Sequence, residues 1–262
     1  MDIKHIVVAT DLSEGARTSY PHASFWARYL GAKVSLLHVR KAGSATPLGD
    51  DLETAVAGEA KRFERLAGVS AEPMVSEGVV SEAVDTFVQD MDGDLVVLAS
   101  YTNPIERVLK LGSTARKVIR QASVPVLFIP KGDDPEQPDH ILVATDTSEA
   151  SGPFVEAVKD AAEKVAKTMT VVHVNHDALD ERRARDILES QATARPNLDV
   201  VSSLVWSNSP HTKLIEMAEE RNASLIAVAS SHKKFLDRTL LGSTTEKLCE
   251  LSPVPLLIFP PQ

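Results

Sequence analysis

DLVVLASYTNPIERVLKLGSTARKVIRQASVPVLFI, residues 94–129, has a near copy in SLIAVASSHKKFLDRTLLGSTTEKLCELSPVPLLIF, residues 224–259. Each copy opens with an apolar run and crosses a polar, basic loop. Each then enters a helix through Leu-Gly-Ser-Thr and closes on a second apolar run between prolines. A strand that feeds a Gly-Ser turn at a helix start is a potential anion site, because orphan N–H groups and the helix dipole point at the same place.

The duplication extends over the whole chain. Ile6-Val-Val-Ala-Thr-Asp11-Leu-Ser-Glu14 returns 135 residues later as Ile141-Leu-Val-Ala-Thr-Asp146-Thr-Ser-Glu149, and Leu37-His38-Val39 as Val172-His173-Val174. Further on, Gly112-Ser113-Thr114 returns 130 residues later as Gly242-Ser243-Thr244, so the five missing residues fall between Val39 and Val75. The charged, proline-rich stretch 131–139 reads as a linker. Two domains are expected, at 1–131 and 139–262.

Within a repeat, β-branched runs alternate with stretches of helical periodicity. The first repeat predicts strands at 6–10, 33–39, 71–75, 95–100 and 126–129. A helix follows Ser13 as far as Leu30 and bends at Pro21. Leu52, Val56, Ala60, Phe63 and Leu66 keep the spacing of a buried stripe, with Asp50 or Asp51 as cap, and Ala83, Val84, Phe87, Val88 and Met91 mark another. The second repeat predicts strands near 141–145, 169–174, 200–205, 225–230 and 254–259, and helices near 148–165, 179–194, 209–221 and 243–251. Alternating strands and helices imply α/β architecture: two doubly wound, five-stranded parallel-sheet domains of Rossmann-like form. The apolar closing strands, Val126–Ile129 and Leu256–Phe259, need cover or a partner.

Composition narrows the function. A formal charge of −9 and a pI of about 5.4 argue against a nucleic-acid binder. The single cysteine, Cys249, allows no internal disulfide or cysteine-rich metal site and fits a reducing, cytoplasmic setting. The opening MDIKHIVVATD has too short an apolar core for a signal peptide, and no run reaches bilayer length, so no membrane partner is expected.

In such a sheet, ligands sit beyond the carboxyl ends of the strands. The candidates there are Asp11, Val39 and the stretch Ser100–Ser113 in repeat one, and Asp146, Val174 and Ser230–Ser243 in repeat two. An aspartate can accept from a ribose or base, a Gly-Ser turn can meet a phosphate, and Arg107 and Lys110, or Lys233, Lys234 and Arg238, can neutralise it. Set beside these roles are plainer ones. Asp11 and Asp146 suit helix caps, and the Gly-Ser pairs suit simple turns. His38 and His173 suit packed or hydrogen-bonded residues rather than ligands. His173 and His176 share no helical face, so no metal is expected. Asp94 reads as a surface residue at a strand start, and Cys249 as buried.

The order V-A-T-D-x-S-E, H-V and L-G-S-T resembles the universal stress protein family, and its duplication resembles the tandem type. The resemblance covers essentially the whole chain and implies an adenine nucleotide alpha hydrolase-like fold whose two domains pair through the last strand as an intramolecular pseudo-dimer. A homodimer of such chains is compatible with it. It also implies ATP or AMP held by G-x-x-G, nine residues, then G-[ST]. That motif falls on Ala99, Thr102, Gly112 and Ser113, followed by Thr114, and on Ala229, His232, Gly242 and Ser243, followed by Thr244. Only the last element is kept in each copy. Threonine resists positive φ where glycine takes it freely, and histidine tolerates it better. With His232, Lys233 and Lys234 at hand, the second repeat is expected to be the better anion site.

The resulting expectation is a non-enzymatic stress-response module with a degenerate site for a nucleotide or other small anion. The alternatives are a weak ATPase or adenylating enzyme, and an interaction protein with both sites vestigial. No carboxylate cluster fit for Mg²⁺ and in-line attack supports the enzyme.

Overall fold

A computed structural model describes residues 1–41, 51–100, 111–130, 138–148, 151–175, 181–229 and 242–260. Two compact units result, one from Ile3 to Pro135, the other from Glu136 to Gln262 together with Met1–Asp2.

The first unit contains β1 (His5–Thr10), α1 (Glu14–Arg17), α2 (Tyr20–Leu30), β2 (Lys33–Arg40), α3 (Leu52–Ala67), β3 (Glu72–Glu77), α4 (Val80–Asp90), β4 (Leu95–Ala99), α5 (Ser113–Gln121) and β5 (Val126–Ile129). Its strands lie in the order β3-β2-β1-β4-β5, all described pairings being parallel. Chain order reverses between β1 and β4, which makes their carboxyl ends the topological switch point. β1 and β4 are apolar along nearly their whole length, as strands covered on both faces must be.

The second unit contains β6 (His140–Ala144), α6 (Ser151–Val165), β7 (Thr168–Asn175), α7 (Glu181–Gln191), β8 (Asp199–Trp206), α8 (Pro210–Glu220), β9 (Leu225–Ala229), α9 (Ser243–Leu251) and β10 (Leu256–Phe259). Its strands follow the same order, β8-β7-β6-β9-β10. Pro210 occupies the start of α8, where a missing N–H costs nothing.

Three expectations change in detail. The single bent helix after Ser13 is two helices. Pro21 has no N–H for the carbonyl of Arg17 and its ring crowds that turn, so the chain breaks at Thr18–Ser19. There Thr18 Oγ1 donates to Gly15 O at 2.7 Å and Ser19 Oγ to Ala16 O at 2.8 Å, occupying carbonyls at the end of α1. Leu66 is 63% exposed, whereas Ala67 is buried. The stripe through Val56, Ala60 and Phe63 continues to Ala67 at i+4 and leaves Leu66 on its margin. Asp94 is not a bystander. Its Oδ2 accepts from the N–H groups of Lys4 at 2.8 Å and His5 at 2.9 Å, tying the start of β4 to that of β1.

Asp51 stands at the start of α3 but makes no side-chain capping bond, and Asp50 lies outside the described residues, as does most of the linker. Cys249 is buried, as expected.

Candidate functional site

The last residue of β1 begins a turn that both repeats build in the same way. Thr10 Oγ1 accepts from Leu12 N–H at 3.0 Å, and Asp11 Oδ1 from Ser13 N–H at 3.0 Å. In the second repeat Thr145 Oγ1 accepts from Thr147 N–H at 3.1 Å, and Asp146 Oδ1 from Ser148 N–H at 3.0 Å. These bonds hold the middle residue in the left-handed region, with φ of 66° at Leu12 and 55° at Thr147. Neither residue is a glycine, so both turns are strained, a condition that clusters at functional sites.

The repeats then diverge. Ser13 Oγ accepts from Ala16 N–H at 3.1 Å and caps α1, which leaves the Asp11 carboxylate a single bond among the described residues. Ser148 Oγ instead donates to Asp146 Oδ1 at 2.7 Å. The aspartates thus present the same backbone with different local satisfaction.

In the first unit the ends of β1, β2 and β4 and the start of α5 converge on one cleft of about 450 Å³. That is within the range of small-molecule sites. Asp11, Val39, Ala99, Gly112, Ser113 and Thr114, all singled out from sequence, line it together. Thr102, Arg107 and Lys110 lie outside the described residues. Most of the wall is aliphatic, from Val80, Val84, Leu98 and Val118 among others. Gly112 caps α5 with no side-chain capping bond, so the N–H groups of the first turn have no side-chain acceptor there. By sequence Ser100 marks only the start of a loop. It lines the cleft with 5% exposure, and its Oγ has no partner among the described residues. Arg40, paired with Glu77 at 2.7 Å, and Lys41 also line the cleft. Both follow His38-Val39 directly, so their position at a strand end was the available signal.

In the second unit Asp146 follows β6, Val174 is near the end of β7, Ala229 ends β9, and Gly242 caps α9 ahead of Ser243 and Thr244. Their strands are neighbours in the order β7-β6-β9, so the same carboxyl ends meet. His232, Lys233, Lys234 and Arg238 lie outside the described residues, as do Glu149 and His176. One difference is legible within the helices: the position that is Arg116 in α5 is Glu246 in α9. An acidic residue in the first turn opposes a bound anion, and a basic one favours it.

The two strand-end histidines are each hydrogen-bonded to backbone, His38 also lining the cleft. Nδ1 of His38 donates to Thr10 O at 3.0 Å and that of His173 to Thr145 O at 2.9 Å, which holds the carbonyl that starts each turn. Among the described residues no group of three or more His, Cys, Asp or Glu is arranged to hold a metal ion. No described helix is long and apolar enough to cross a membrane.

Two open parallel α/β units, the first with its cleft at the switch point, make up a duplicated α/β architecture. The chain belongs to the universal stress protein family, whose family model matches residues 2–130 and 138–260. It is 23% identical over 236 residues to a universal stress protein of Mycobacterium tuberculosis, with 80% of each chain covered. Universal stress protein YxiE of Bacillus subtilis is 26% identical over 142 residues, 45% of this chain and 96% of that protein. Among solved structures, a universal stress protein from Archaeoglobus fulgidus DSM 4304 superposes with a TM-score of 0.81 over 99% of both chains at 21% identity, a likeness of fold.

Proposed function

We propose that the first unit's cleft is a binding site for an adenine nucleotide, ATP or AMP, and that the protein is a non-enzymatic, ligand-responsive stress module. The reading rests above all on Ser100: a buried hydroxyl without a partner among the described residues lines the same cleft as an uncapped helix start. The chemistry is complementary to the parts of a nucleotide. Aliphatic walls suit a base, the Asp11 carboxylate a ribose hydroxyl, and the N–H groups at Ser113 and Thr114 a phosphate. Arg116 against Glu246, and the bond from Ser148 Oγ to Asp146, favour the first unit over the second, contrary to the expectation drawn from His232, Lys233 and Lys234.

Calorimetric titration of the intact chain with ATP and AMP tests this. We expect saturable binding that Asp11→Ala weakens about tenfold or more, the worth of one charge-assisted hydrogen bond, and that Asp146→Ala leaves unchanged. The reverse pattern would move the site to the second unit. No binding in any variant would favour the interaction-protein alternative. Stoichiometric product from ATP would overturn the non-enzymatic part. Pairing of the two repeats through 126–129 and 256–259 belongs to the same proposal, supported by their apolar, proline-bounded sequences. Cross-linking mass spectrometry on the intact chain should join residues flanking the two strands; links confined within each repeat would refute it.

A further inference from the structure

Behind the turn that carries Asp11 lies an ion pair that has no counterpart among the described residues of the second repeat. Arg17 Nε donates to Glu59 Oε1 at 2.7 Å and its Nη2 to Glu59 Oε2 at 3.0 Å, a bidentate fork between α1 and α3. The Arg17 side chain is 22% exposed and that of Glu59 8%. The same Nη2 also donates to the carbonyl of Leu12 at 3.3 Å. Leu12 is the residue held at a φ of 66°. Gly152 occupies the position aligned with Arg17 in the second repeat, so that position supplies no guanidinium there.

Tyr20 completes the network. Its hydroxyl lies 3.1 Å from Thr10 Oγ1, the atom that accepts from Leu12 N–H, and its ring stacks edge-on against Phe63 at 5.2 Å. Both the N–H and the C=O of Leu12 are therefore held, one by Thr10 and one by Arg17. The hydrogen bond with Glu59 raises the Arg17 pKa above its ordinary value, so the guanidinium stays charged.

We infer that Arg17, fixed by Glu59, is a positioning residue that keeps Leu12 left-handed and thereby aims the Asp11 carboxylate at the cleft. The inference deepens the nucleotide reading and rests on it for the identity of the ligand. Thr147 holds a φ of 55° on the bonds to Thr145 and Asp146 without such a clamp, so at Leu12 the clamp adds to the equivalent bonds of Thr10 and Asp11. Without it Leu12 returns more often to a right-handed or extended conformation, and Asp11 turns with it. A left-handed L-residue is disfavoured by an amount that corresponds to about a tenfold shift in population. Glycine at position 12 has no such preference and makes the clamp nearly dispensable.

The test uses the intact chain. Arg17→Met alone leaves a buried carboxylate, which can unfold the unit, so Arg17→Met is combined with Glu59→Leu to remove both charges together. Two quantities are measured in this variant and again with Leu12→Gly added: amide exchange of Ser13 without ligand, and affinity for ATP by calorimetry. We expect the pair variant to raise Ser13 exchange and to weaken ATP about tenfold, and Leu12→Gly to recover most of both losses. A merely structural pair would lower stability without rescue by glycine. Unchanged Ser13 exchange would overturn the inference, as would faster exchange with unaltered ATP affinity. If the unaltered chain binds no ATP, the nucleotide reading falls while the exchange result still decides whether Arg17 positions the turn.

Discussion

Thr147→Gly should stabilise the protein, against the general rule that substitutions weaken it. Thr147 holds a φ of 55°, in the left-handed region, where its Cβ crowds the backbone and its β-branching adds to the cost. That conformation costs an L-residue about 1–2 kcal/mol, and strain at such sites is of the same order. Glycine removes the cost but adds about 0.5–1 kcal/mol of unfolded-chain entropy. The hydroxyl contributes little in return, since its bond is to the carbonyl of the adjacent Asp146 at 2.7 Å in an exposed turn. The turn's other bonds are donated by the backbone N–H groups of residue 147 to Thr145 and of Ser148 to Asp146, and the glycine substitution keeps both. The balance is a gain of about 0.5–1 kcal/mol, or a Tm rise of roughly 1–4 °C. Calorimetry on Thr147→Gly, Thr147→Asn and Thr147→Val should rank them Gly, Asn, wild type, Val in falling Tm. A glycine variant less stable than wild type would refute the strain argument.

Other outcomes follow from single contacts. Tyr20 is fully buried, and burial first, with Glu59 nearby, raises its pKa above the ordinary value of 10.0. Its contribution is therefore complete below about pH 10 and is lost as pH rises from there, because the unfolded chain releases the proton first. Tyr20→Phe should flatten the alkaline limb of stability against pH by up to about 1.4 kcal/mol per unit, read by urea unfolding from pH 8 to 11; identical limbs would count against it. A Cβ on Gly93 would lie 3.1 Å from Val7 Cγ2 and 3.3 Å from Val88 Cα, so Gly93→Ala should cost about 1–3 kcal/mol, measurable as a lowered urea midpoint. Asp94→Ala strips an acceptor from two backbone N–H groups and should cost about 1–3 kcal/mol. Asp94→Asn keeps one acceptor oxygen and should lose less in the same titration.

Where the residues' own chemistry decided local structure, the sequence was enough. The offset between Asp11 and Asp146, and the apolar runs such as Leu95–Ala99, led directly to two α/β units of parallel strands. Ser13 was readable as a cap, and His38 as a bonded histidine. What was hidden depends on geometry between distant residues. Nothing in the chain near Arg17 announces Glu59, which arrives from α3 after an intervening strand. Asp94 looked like a surface residue because its partners, Lys4 and His5, lie at the far end of the repeat. Ser13 and Ser148 occupy aligned positions, yet one caps a helix and the other returns to its aspartate. Gly112 was found from its repeated Gly-Ser turn, and Ala99 because the resemblance marks it. Ser100 was missed because only burial distinguishes its hydroxyl from any other serine at a strand end. The contrast of Arg116 with Glu246 was visible all along, but it acquired meaning only with each helix start located at the strand ends.

The central claim is that a nucleotide enters the first unit's cleft. Photoaffinity labelling of the intact chain with 8-azido-ATP, followed by peptide mapping, tests it most directly. Label is expected on peptides spanning Leu37–Lys41, Val80–Val84 or Gly112–Val118, which line the cleft, and unlabelled ATP should suppress it. Label confined to residues 139–260, or label that excess ATP does not displace, would contradict it.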